Sequence, residues 1–160
     1  MEEFALLEKA IADYVHRDRA VACNCGASGL HLAMRISGGG MGDEVIVPTL
    51  TFIAAVNPVR YANAEPVFIG CDDSLCMDPA AAERFCKEEC HMEDVKLINN
   101  TSGRHVKALL VGHVFGNMAG MVEFTRIARE YNLILIEDAT EALGTYYTSG
   151  PFAGKFAGTI

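Results

Sequence analysis

The sequence predicts an α/β domain, three layers deep, with helices on both faces of a mostly parallel sheet. Short continuous apolar runs alternate with longer stretches whose apolar residues recur at helical spacing. Gly, Pro, Asn and Asp stand at the switches between the two patterns. Strands that alternate with helices in this way imply right-handed crossovers and a largely parallel sheet.

Phe4, Leu7, Ile11, Tyr14 and Val15 form one stripe of an amphipathic opening helix that starts at Met1. Ala20-Val21-Ala22-Cys23 reads as a short buried strand. Helical spacing resumes from Gly26 to Ile36 through Leu30, Ala33 and Met34. Gly38-Gly39-Gly40 and Gly42-Asp43 then turn the chain into a strand, Glu44-Val45-Ile46-Val47, which Pro48 ends because it has no N–H for a ladder. Thr51 to Ala62 is helical in composition, with Pro58 required in the first turn or at a kink. Pro66 to Ile69 is the next strand. Asp78-Pro79 sets a cap residue before a first-turn proline and opens a helix running to about Glu89. Residues 93–104 are polar and irregular and read as a surface connection. A strand at Ala108 to Val111, a helix at Met121 to Tyr131 and a strand at Leu133 to Ile136 complete the pattern.

With 160 residues, 51% hydrophobic and 21% charged, the chain has globular composition. A chain of this length buries roughly 70% of its extended surface, enough for a core without disulfides. Thirteen Lys and Arg against 21 Asp and Glu give a net charge of −8 with no basic run, which disfavours nucleic acid and anionic lipid as partners. No apolar stretch approaches the ~20 residues of a bilayer span. The opening Met1-Glu2-Glu3-Phe4 lacks the positive start of a signal peptide, so a cytoplasmic location is expected. The six cysteines are scattered through predicted strands and helices and read as reduced thiols. Cys86, Cys90 and His91 fall on neighbouring turns of one predicted helix, the nearest approach to a metal set, but no CxxC pair or second ligand pair accompanies them. No metal site is therefore expected.

In open α/β sheets ligands bind beyond the carboxyl ends of the strands. Asn24-Cys25-Gly26-Ala27-Ser28-Gly29 opens directly into a helix there, and is either a tight turn or a phosphate seat on a helix N-terminus. Phe52 follows the next strand and either packs in the core or stacks on a planar ligand. His113, after the fourth strand, reads as a hydrogen-bonded structural histidine. The last strand delivers adjacent carboxylates, Glu137 and Asp138, to the same edge. Successive strand residues point to opposite sides, so the pair is either solvated or has one member aimed into the crevice.

Five ordered blocks carry a family resemblance: Asn24-Cys25-Gly26-Ala27-Ser28-Gly29-Leu30-His31-Leu32-Ala33, Gly42 to Phe52, Ala64-Glu65-Pro66-Val67, His113-Val114-Phe115-Gly116, and Ile136 to Gly144. Together they resemble the pyridoxal-phosphate-dependent sugar aminotransferases of the DegT/DnrJ/EryC1/StrS family. Glu137 to Glu141 with the Gly154-Lys155-Phe156-Ala157-Gly158 loop is similar to members acting on nucleotide-linked 4-keto amino sugars for legionaminic acid or related surface glycans. The resemblance implies the large domain of fold-type I transferases, with pyridoxal 5′-phosphate as cofactor. It places the cofactor phosphate on Gly26, Ala27 and Ser28, the pyridine ring on Phe52 and the ring nitrogen on Asp138. Glu141 takes the position of a Gln or His near the cofactor's 3-oxygen, and Ala27 that of a Thr.

The same resemblance implies a lysine, bound to the cofactor as a Schiff base, in a Ser-Phe-x-x-x-Lys-like segment downstream of Gly158-Thr159-Ile160. None of Lys9, Lys87, Lys96, Lys107 and Lys155 has that context, so no catalytic lysine is expected within residues 1–160. The chain reads as a truncated large domain, without the small C-terminal domain, of a homodimeric enzyme that transfers an amino group from glutamate to a nucleotide-linked keto sugar. By itself it is expected to be inactive. A sugar dehydratase of the same family, or a catalytically silent cofactor-binding or dimerisation module, are the alternatives.

Overall fold

The computed structural model describes residues 2–160; Met1, which the sequence puts at the start of the first helix, lies outside them. Six strands form one mixed sheet. β1 (Asp43–Pro48) lies between β2 (Glu65–Ile69) and β5 (His105–Gly112), parallel to both. The far side of β5 is shared. Its first residues pair antiparallel with β4 (Lys96–Asn99), which forms a hairpin with β3 (Cys90–Glu93), while Ala108 to Gly112 pair parallel with β6 (Ile134–Asp138).

Alternation along the strands splits the core into two layers. Val45, Val47, Ala108, Leu110 and Ile136 face α2 (Gly26–Ile36) and α3 (Ile53–Tyr61), packing on Met34, Ala55, Val56 and Val59. Ile46, Leu109 and Val111 face the other way, against α4 (Pro79–Arg84) and α5 (Met121–Glu130), where Phe124, Ile127, Met121 and Phe85 fill the space. Strands covered on both faces are continuous apolar runs, which is why they stand out in the sequence. The three-layer α/β/α expectation holds.

Two local expectations need correction, and two helices differ in detail. Residues 20–23 form no strand; Val21 is 73% exposed, and the segment has no sheet neighbour. Pro58 sits at the sixth residue of α3 and is buried, beyond the first turn, so Ala54 gives up the helical partner of its carbonyl. Residues 93–104 are no irregular connection but contain most of the β3–β4 hairpin, turned at Asp94 (φ 54°), with Cys90, Leu97 and Asn99 buried. The helix begun at Pro79, capped by Asp78 through the Ala80 N–H at 2.8 Å, changes at Phe85 to a π-helical turn that ends at Glu89.

The opening helix, α1 (Glu2–Tyr14), forms as expected, but its apolar stripe is largely uncovered: Phe4, Leu7 and Tyr14 are all more than half exposed, and only Ala12 is buried. It is anchored at its end, where Tyr14 and His16 pack on the ring of Phe156 at 5.3 and 5.7 Å. Among the described residues no helix is long and apolar enough to cross a membrane.

Candidate active site

The carboxyl ends of β1, β5 and β6 meet the N-terminus of α2 around a cavity of about 560 Å³. That position is where open parallel sheets hold ligands, and the volume lies within the usual range for small-molecule sites. Gly26, Ala27, Phe52, Asp138 and Glu141 all line it; Ser28 does not. None of the five lysines lines it either.

The α2 N-terminus presents bare amides. Its cap residue, Cys25, makes no side-chain cap bond, and its carbonyl already accepts the N–H groups of Ser28 (3.1 Å) and Gly29 (3.2 Å). Gly26 and Ala27 N–H remain without a partner among the described residues, at the positive end of the helix dipole. The Ser28 hydroxyl turns to the Cys25 sulfur at 3.3 Å. That side-chain bond, with the Ser28 backbone N–H second to it, holds the Cys25 thiol below its ordinary pKa.

At the end of β6 the two carboxylates separate as strand alternation requires. Glu137 points beneath the site. Its side chain is almost fully buried and accepts three hydrogen bonds: from Gly158 N–H (2.9 Å), from Ile160 N–H (2.6 Å) and from His113 Nε2 (3.0 Å). The Ala119 N–H donates to His113 Nδ1 at 3.1 Å, which leaves Nε2 as the nitrogen carrying the proton. His113 is thus the structural, hydrogen-bonded histidine its sequence context suggests, although it also borders the cavity. Asp138 points the other way, into the cavity wall, and its Oδ1 accepts from both Thr140 N–H (3.1 Å) and Thr140 Oγ1 (2.6 Å). Thr140 is absent from the sequence-based set; the Asp-x-Thr spacing of a side-chain-capped turn is the signal that marks it.

Two exposed rings flank the mouth. Phe52, 73% exposed, ends the loop after β1 and precedes α3. Phe115 is 68% exposed and adopts a left-handed conformation (φ 54°, ψ 26°) that a bulky residue holds only under constraint. The constraint is visible: the Glu141 carboxylate accepts the Phe115 N–H at 2.7 Å, and Thr145 Oγ1 donates to the Gly116 carbonyl at 3.1 Å. Glu141 therefore acts on the loop after β5 as well as on the cavity.

Cys86, Cys90 and His91 share no helix face. Cys86 lies in the π-helical turn, whereas Cys90 and His91 open β3. The two thiols are buried, and burial, reinforced for Cys86 by Cys90 and for Cys90 by Glu44, pushes each up to about 12. His91 is exposed, with Nδ1 2.6 Å from Asn100 Oδ1. Among the described residues no group of three His, Cys, Asp or Glu side chains is arranged to hold a metal.

Residues 2–160 match the model of the DegT/DnrJ/EryC1/StrS aminotransferase family. The chain is 38% identical over 154 residues to GDP-perosamine synthase of Caulobacter vibrioides, covering 96% of this chain and 36% of that protein. It is 34% identical, over the same shares, to EpsN of Bacillus subtilis, whose name places it among pyridoxal phosphate-dependent aminotransferases. The crystal structure of S. venezuelae DesV superposes with a TM-score of 0.81 at 31% identity, covering 99% of this chain and 37% of that one. The chain thus spans a little over a third of the length of the relatives it matches.

Proposed function

This chain belongs to the DegT/DnrJ/EryC1/StrS aminotransferase family, and from that footing we propose that it is the cofactor-binding part of an enzyme that aminates a nucleotide-linked keto sugar. The cofactor is pyridoxal or pyridoxamine 5′-phosphate. The observation that carries the reading is Asp138: a carboxylate at a strand end, in the wall of a ligand-sized cavity, with one oxygen held by Thr140 and the other without a partner among the described residues.

The donor set fits the group. Unpaired Gly26 and Ala27 amides on a helix N-terminus suit a phosphate. The exposed ring of Phe52 offers an apolar face for a planar heterocycle. The free Asp138 oxygen suits a protonated ring nitrogen, since an ionised acceptor makes the stronger hydrogen bond. When bound, the cofactor supplies an electron-withdrawing ring that stabilises negative charge at the carbon bearing the amino group. Asp138 would keep the ring nitrogen protonated, and Phe52 would offer its face to the ring. The α2 amides would anchor the phosphate end, and Glu141, which also holds the Phe115 N–H, would stand near the 3-oxygen. No lysine reaches this cavity, so residues 2–160 bind cofactor without turning it over. Glutamate as amino donor, a role in surface-glycan synthesis, a cytoplasmic location and a homodimeric enzyme complete the proposal.

Pyridoxamine 5′-phosphate tests it directly, because its binding needs no lysine. Fluorescence titration of the 160-residue chain is expected to give saturable binding, weakened by about 10- to 100-fold in Asp138→Asn, the range for losing one hydrogen bond to a charged group. Absence of saturable binding, or equal affinity in the variant, overturns the assignment.

A further inference from the structure

We propose that Thr140 is a positioning residue that sets the orientation of the Asp138 carboxylate toward the ring nitrogen, an inference that rests on the cofactor reading above. Any residue but proline at 140 would offer Asp138 its backbone N–H. Thr140 adds a second, shorter bond from its hydroxyl to the same oxygen, 2.6 Å against 3.1 Å. With both donors on Oδ1, the plane of the carboxylate is fixed and Oδ2 is the oxygen left for a ligand. The branched Cβ restricts the Thr140 side chain to few rotamers. It lies beside the first turn of α2: a Cβ placed on Gly26 would stand 3.4 Å from Thr140 Oγ1. The hydroxyl that orients Asp138 therefore lies next to the helix end assigned to the phosphate, between the two ends of the ligand seat.

Two ligands separate positioning from mere support of the fold: pyridoxamine 5′-phosphate and its 1-deaza analogue, in which the ring nitrogen is replaced by C–H. The wild-type chain is expected to prefer the pyridine. Thr140→Val keeps the shape and the backbone donor but loses the hydroxyl, and should reduce that preference by about 5- to 20-fold while leaving affinity for the deaza analogue unchanged. Thr140→Ser should restore most of the preference. Full preference in Thr140→Val, or an equal loss for both ligands, overturns the positioning role. A wild-type chain that binds both ligands equally removes the Asp138 contact and this inference with it. A wild-type chain that binds neither overturns the cofactor reading itself.

Discussion

Glu137 shows how much a single buried side chain holds in this protein. Its carboxylate accepts from two backbone amides of the 158–160 segment and from the His113 ring beneath the cavity. Glu137→Ala leaves three donors without an acceptor, of which the His113 ring is fully buried, and a buried unsatisfied group costs about 1–3 kcal/mol before relaxation. Urea denaturation should show a loss of about 2–4 kcal/mol, and amide exchange at Gly158 and Ile160 should accelerate more than exchange in α5. A loss under 1 kcal/mol would contradict this role. The opposed aim of Glu137 and Asp138 was legible in the sequence because alternation in a strand is a strict geometric rule. Thr140 was not, because its part depends on a turn bringing a hydroxyl back onto Asp138. Ser28 was assigned to the ligand seat, but the α2 turn consumes its N–H and aims its hydroxyl at Cys25.

The elements readable in advance were those buried on both sides. Val45–Val47 and Leu109–Val111 are apolar whichever way their side chains point, so the run itself marks the strand. Ala20–Cys23 has the same look but no neighbour to pair with, and composition says nothing about neighbours. The β3–β4 hairpin was hidden for the opposite reason: its outward residues are polar or charged, and its inward ones include Asn99, whose amide donates to buried Glu44 at 2.8 Å. The π-helical turn joining α4 to this hairpin buries Cys86, close to the buried Cys90 of β3, and this has a pH consequence. Both thiols have folded-state pKa values near 12 against 9.0 for a free thiol. Below pH 9 both are protonated in the folded and unfolded chain and their contribution is constant. As pH rises from 9 toward 12, only the unfolded chain releases these protons, so stability falls. By pH 10 the loss from Cys86 is roughly 1 kcal/mol. Denaturation midpoints at pH 8 and pH 10 should diverge more in the wild type than in Cys86→Ala/Cys90→Ala; an identical divergence would refute the assignment.

Taken together, the packed layers leave substantial apolar surface uncovered. The α1 stripe of Phe4, Leu7 and Tyr14, the outer strand residue Phe68 and the unpaired edge of β6 all face outward. Such patches drive association, opposed by a net charge of −8. Sedimentation velocity should therefore show concentration-dependent self-association that strengthens with salt as repulsion is screened. Phe4→Glu/Leu7→Glu should weaken it; a strict monomer at high protein and salt concentration would contradict the prediction. The shared flank of β5 has a consequence of a different kind, for the order in which the site comes into being. The hairpin claims the start of β5 early in the chain, but the half that borders the cavity waits for β6, and β6 brings Asp138 and Glu141. In chain order the α2 amides and Phe52 precede β6, and the carboxylates that complete the seat emerge only with and just after that strand. Ligand capture by a stalled nascent chain would thus report the arrival of β6, making a small molecule a clock for the assembly of this seat.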